Sequence, residues 1–133
     1  MSTWVEGSVL PVQSYRITRA DLVAYAAASG DANPIHSDES AALAVGLPGV
    51  IAHGMYTLAL AARAADVWAG GPGRVRSLGA KFTRPVVVPA GDEGTEVVVA
   101  GLVRSVADGL TTVALEVTCA GEKVLGGATA VLA

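Results

Sequence analysis

Residues 55 to 69, MYTLALAARAADVWA, constrain the fold more than any other stretch of the chain. They favour helix, and Gly70-Gly71-Pro72-Gly73 stops them. Only Thr57, Arg63 and Asp66 are plainly polar. A helix apolar on nearly all sides has to be buried on nearly all sides. This one is too short and too interrupted for a membrane span, which takes about 20 apolar residues. The remainder of the chain must therefore cover it, and its alanines let another element approach closely. After the helix the period changes. RVRSLGAKFTRPVVV (74 to 88), TEVVVAGLVRSV (95 to 106), LTTVALEVTCA (110 to 120) and EKVLGGATAVL (122 to 132) read as strands. Asp108-Gly109 gives a hairpin signal, and Gly121 marks another tight turn. Helices first and antiparallel strands after is the α+β pattern. Four or five strands beside one buried helix predict a sheet curled around it.

The upstream half supplies shorter elements. Residues 8 to 17, SVLPVQSYRI, read as an edge strand or an extended lead-in, because Pro11 disfavours a central position. Thr18 is placed as the N-cap of the next helix, RADLVAYAAAS, with Asp21 at its positive end and Gly30 as its stop. SDESAALAVGL forms a second short helix capped by Ser37 or Asp38 and stopped by Gly46. GLPGVIAHG, 46 to 54, reads as a buried loop. The 133 residues fit one domain, 1–133, with no repeat or linker. Hydrophobic residues reach 52% against 16% charged, more than a small monomer ordinarily hides, which points to a second subunit. The net charge of −3 with scattered Lys and Arg argues against a nucleic-acid partner. The lone Cys119 sits in a strand pattern and reads as a buried thiol. MSTWVEGSVLPVQ lacks the basic and apolar regions of a secretory signal, so a cytoplasmic setting is expected.

The chemistry concentrates in SGDANPIH, 29 to 36. Asp31 and His36 lie in a turn stiffened by Gly30 and Pro34, and Pro34 drives Asn33 out of helical conformation. A carboxylate and an imidazole held together can manage the proton of one water near neutral pH. The same residues also suit a polar loop whose Asp and Asn only cap helices. Asn33 can lock the loop through an Asx-turn. The second histidine, His53, precedes Gly54 where the apolar helix begins. The first N–H groups of a helix have no internal partner and lie at its positive end. Gly54 permits close approach, so its N–H can serve a developing oxyanion. Equally, Gly54 can serve only a tight turn, and His53 can be a core residue with one hydrogen bond. A metal site from Asp31, His36 and His53 lacks HxxxH or cysteine spacing, and no metal or cofactor is expected. No G-x-S-x-G, Walker A or G-x-G-x-x-G motif occurs.

In combination YAAASGDANPIHSDESAA (25 to 42), GLPGVIAHGMYT (46 to 57) and KFTRPVVVPAGD (81 to 92) resemble the MaoC-like R-specific enoyl-CoA hydratases and (3R)-hydroxyacyl-ACP dehydratases, most closely actinobacterial dehydratase subunits. The resemblance covers most of the chain. It implies a hot-dog fold, a curved antiparallel sheet around a central helix at about 54–69. It also implies dimers, with acyl-thioester sites near the interface. Asp31 and His36 match the catalytic pair, and the Gly54 N–H matches the thioester-carbonyl donor. Asn33, Ser29 and His53 take supporting places. Some members carry a serine on the central helix. Here 58 to 65 read LALAARAA, with no hydroxyl, and that role is not carried over to Thr57. The implied reaction is reversible hydration of a trans-2-enoyl thioester to a (3R)-3-hydroxyacyl thioester, a hydro-lyase activity on acyl-CoA or acyl-ACP. His36 is assigned to water and Asp31 to the proton at C2. Arg84, with Arg76 and Lys81 behind it, is the candidate for phosphates of the substrate handle. Two alternatives stay open: a subunit of a heterodimeric dehydratase that needs a related hot-dog partner, and a hot-dog acyl-CoA thioesterase.

Overall fold

The computed structural model describes residues 4–133. The reading of the N-terminus as no secretory signal begins at residues outside that range. The elements run β1 (Val9–Ile17), α1 (Arg19–Ser29), a 3-10 turn (Pro34–His36), α2 (Glu39–Ala44), α3 (Gly54–Ala69), β2 (Val75–Phe82), β3 (Thr95–Ala107), β4 (Leu110–Cys119), β5 (Glu122–Lys123) and β6 (Leu125–Leu132). The strands form one antiparallel sheet in the order β1-β3-β4-β6-β2, with β5 beside β4. Helix α3 touches β1, β3, β6 and β2, so it meets both edges of the sheet as well as its middle. A sheet can do that only by curling around the helix, which is the hot-dog arrangement that the sequence predicts.

The local signals explain these elements. Thr18 caps α1 through its hydroxyl, and Asp21 returns the bond to the Thr18 N–H at 2.9 Å, a capping box. Gly30 ends α1 with φ 78°. Asp108 and Gly109 both have positive φ, as a two-residue type I′ hairpin requires, and join Ala107 to Leu110. Pro11 lies on an edge strand where the register slips between Leu10 and Gln13, so its missing N–H breaks no ladder bond. Its carbonyl accepts the Trp68 indole N–H at 2.7 Å and ties β1 to the end of α3. Buried Leu60, Ala61, Ala64, Ala65 and Trp68 carry α3 into the core. Cys119 is buried, its Sγ 3.1 Å from the Thr95 hydroxyl.

Four expectations need correction. The stretch 74 to 88 is not one strand: β2 ends at Phe82, ahead of Pro85, and Val86 and Val88 instead bond to the 50–52 segment. The stretch 122 to 132 is interrupted at Val124, whose N–H turns to the Val117 carbonyl. Within 46 to 54 only residues 49, 50, 52 and 53 are buried, with Ile51 half-buried, because residues 46–48 form the more open end of the α2 turn. Finally, α3 is not covered all round. Met55, Ala59, Arg63 and Val67 recur every fourth residue and form an exposed stripe, since one curled sheet leaves the far side of its helix open. The cap of α2 is settled in favour of Asp38, whose carboxylate accepts from Ser40 N–H at 2.9 Å.

Candidate active site

The loop after α1 is held by a relay of short polar side chains. Ser29 Oγ accepts from the Asp31 N–H at 3.2 Å. Asp31 Oδ1 accepts from the Asn33 N–H at 3.2 Å, and Asn33 Oδ1 accepts from the Ile35 N–H at 3.2 Å. Asn33 has φ −58° and ψ 124°, the extended conformation that a following proline demands. Pro34 then opens the 3-10 turn that delivers His36 into the protein, where it is 8% exposed. The Asp31 side chain stays exposed beside it.

His36 is oriented from across the chain. Its Nδ1–H donates to the Ile51 carbonyl at 2.7 Å. A carbonyl only accepts, so Nδ1 carries the proton and Nε2 of the neutral ring offers a lone pair. His53, the residue before α3, is 2% exposed. Its Nε2–H donates to the Asp31 backbone carbonyl at 3.2 Å. Its ring stacks on His36 with centroids 3.8 Å apart, and the Tyr25 ring packs tilted against it at 4.7 Å. Its Nδ1 is buried with no protein partner.

Ligand-capable atoms of Asp31, His36 and His53 lie within 4.8 Å of one another, the one such group among the described residues. The three could hold a metal ion only after rearrangement. The two rings are only 24° from parallel, so their in-plane lone pairs run side by side rather than converging on one tetrahedral point.

Gly54 is the first residue of α3, so its N–H has no partner within the helix. It sits between two cavities. One, about 350 Å³, is lined by His36, Ile51, Thr57, Phe82, Arg84 and Leu125 among others, besides Gly54. The other, about 420 Å³, is lined by Tyr25, Ser29, Asp31, His53 and Phe82 together with Gly54. Of the residues singled out from the sequence, Ser29, Asp31, His36, His53, Gly54 and Arg84 line these two cavities, and Asn33 does not. Arg84 reaches the mouth of the first cavity, where it is exposed and pairs with Glu122 at 3.5 Å. Arg76 and Lys81 lie on β2 and line neither cavity. Two participants escaped sequence reasoning, the Ile51 carbonyl and the Phe82 ring. Phe82 is the sole phenylalanine of the chain, but a strand pattern does not show which helix end its ring will meet.

Comparison with known proteins agrees with this fold. A match to the MaoC-like domain extends over residues 2–120. The 3-hydroxyacyl-thioester dehydratase X of Mycobacterium tuberculosis is 46% identical over 80 residues, 60% of this chain and 28% of that protein. A solved structure described as a MaoC-like dehydratase superposes with a TM-score of 0.93 at 39% identity, over 98% of this chain and 40% of that one. The R-hydratase PhaJ1 of Pseudomonas aeruginosa, unliganded, superposes with a TM-score of 0.82 at 30% identity, over 98% of this chain and 82% of that one. The first two relatives are thus more than twice as long as the part this chain spans. With the domain match spanning most of the chain and the fold shared with these structures, the chain belongs to the MaoC-like domain family.

Proposed function

We propose that this chain adds water to trans-2-enoyl thioesters, giving (3R)-3-hydroxyacyl thioesters, and catalyses the reverse dehydration. The observation that carries the proposal is the setting of His36. Its Nδ1–H is fixed on Ile51, which leaves Nε2 free, and the ring belongs to a 4.8 Å cluster with Asp31 and His53 and lines a cavity with Gly54.

The thioester carbonyl accepts the Gly54 N–H, where the α3 dipole favours negative charge. That polarises the conjugated double bond. A water between Asp31 and His36 adds through its oxygen to C3. One of its protons passes to His36 Nε2, and the other stays on the new hydroxyl. The electron pair of the double bond moves toward the carbonyl, and a proton delivered through Asp31 closes C2. Asp31 and His36 act as one unit, so the net transfer is from water to C2. Ser29, Asn33 and His53 hold the two groups in place, and Arg84 meets phosphate of the CoA or acyl-carrier handle. No cofactor takes part. The setting is cytoplasmic.

The test is hydration of crotonyl-CoA, followed as loss of enoyl absorbance. Asp31→Asn and His36→Ala are each expected to lower kcat by about 10²–10⁴-fold. Near-normal turnover in either variant would sink the assignment. Release of free thiol in place of hydration would favour a thioesterase.

The partial coverage of the longer relatives favours a second reading of the assembly: the site works beside another hot-dog unit. A second copy of this chain is the simplest such unit, covering the Met55–Val67 stripe. If the purified chain is inactive alone and gains activity with a related subunit, the partner is a different chain.

A further inference from the structure

Two cavities adjoin at the site, and only Gly54 and Phe82 line both. His36 belongs to one and Asp31 to the other, although the proposed reaction needs both groups on the same two carbons. The Phe82 ring lines both cavities and lies against the other residue they share, Gly54. A methyl group built on Gly54 would lie 3.1 Å from both Cε1 and Cζ of that ring, so the ring rests on the start of α3. Phe82 is the last residue of β2, an edge strand, and is 57% exposed. Little packing holds so exposed a ring in its rotamer, and a surface aromatic reorients in nanoseconds.

Resting on the hydration reading above, we infer that Phe82 is a movable wall over Gly54 that admits an unbranched acyl group and rejects one branched at C2. A carbonyl bound at the Gly54 N–H places C2 and C3 directly beneath the ring. A flat, linear enoyl chain lifts the ring by its own thickness and joins the two cavities. A methyl group on C2 adds width at the point where the ring and the α3 backbone are already in contact. Phe82 touches the acyl group without taking part in proton transfer, so it determines specificity and not the chemical step.

The experiment compares crotonyl-CoA with its 2-methyl analogue, tiglyl-CoA, in the wild-type chain, Phe82→Ala and Phe82→Leu. Phe82→Ala is expected to raise the tiglyl-to-crotonyl ratio of kcat/KM by about tenfold or more, the discrimination one methylene commonly gives. Phe82→Leu should fall between wild type and Phe82→Ala in that ratio. An unchanged ratio in both variants overturns the inference. Binding of the saturated butyryl-CoA and 2-methylbutyryl-CoA, measured by calorimetry, gives a readout without turnover. A shift in their affinity ratio in Phe82→Ala supports the wall even if no variant hydrates. An unshifted ratio, or no binding of either thioester, overturns it. Failure of hydration with the binding shift intact counts only against the proposed reaction.

Discussion

At the scale of single residues, His53 couples more of the site than any other side chain. It donates to the Asp31 carbonyl, stacks on His36 and begins α3. His53→Ala removes a buried ring and leaves that carbonyl unpaired. The expected cost is roughly 2–4 kcal/mol, combining a core cavity with a lost hydrogen bond. His53→Gln keeps a donor near the Nε2 position, and His53→Phe keeps the ring. Urea unfolding should therefore place both between wild type and Ala. Turnover of crotonyl-CoA should survive better in Gln, because the bond to the Asp31 loop is what sets that carboxylate. Equal kcat for Gln and Ala would show that the bond is dispensable. Asp31, His36 and Gly54 were legible in the sequence as candidates, through motifs that resemble a known family's and sit in short stiff segments. The bond from His36 to Ile51 was not, since it closes over 15 residues and uses a backbone atom that any residue supplies.

At the scale of elements, α3 and the strand facing it are matched by a glycine. A Cβ on Gly101 would fall 2.7 Å from Cη2 of Trp68, a ring already fixed by its bond to Pro11. Gly101→Ala is thus expected to destabilise the chain by about 1–3 kcal/mol through overpacking, read as a lower midpoint in thermal unfolding. Phe82, whose contact with Gly54 is also close, should show no comparable loss on truncation, because its ring is mostly exposed. The polar side of α3 makes a second prediction. Arg63 lies 5.0 Å over the Tyr15 ring. Burial pushes the phenols of Tyr15 and Tyr56 above their ordinary value, Asp21 adds to the effect at Tyr56, and Arg63 partly offsets it at both. A raised phenol favours the neutral form in the folded chain. The stabilisation is present below the unfolded value of about 10 and is lost as pH rises through the folded one. In a titration followed at the phenolate band, Tyr15 and Tyr56 should ionise later in the native chain than in urea. Coincident curves would contradict the burial of both.

At the scale of the whole molecule, the exposed stripe Met55–Ala59–Arg63–Val67 bears on assembly. The apolar composition and the open side of α3 point the same way, toward a second hot-dog unit. Sedimentation of the purified chain should find at least two copies per particle. Val67→Glu, which places a charge on the stripe, should shift that mass toward one chain and lower hydration activity with it. A fully active single chain would refute the arrangement. By itself, the sequence determined most of the element types, the helix that the sheet must enclose and the tight turns. These follow from local rules: hydrophobic period, capping, and the φ that Gly and Pro permit or impose. Tertiary structure alone decided that β2 stops at Phe82, that α3 keeps an open side, that His36 presents Nε2, and that the Phe82 ring lies against Gly54. Each of those depends on which distant backbone or ring arrives alongside, and no local pattern records that.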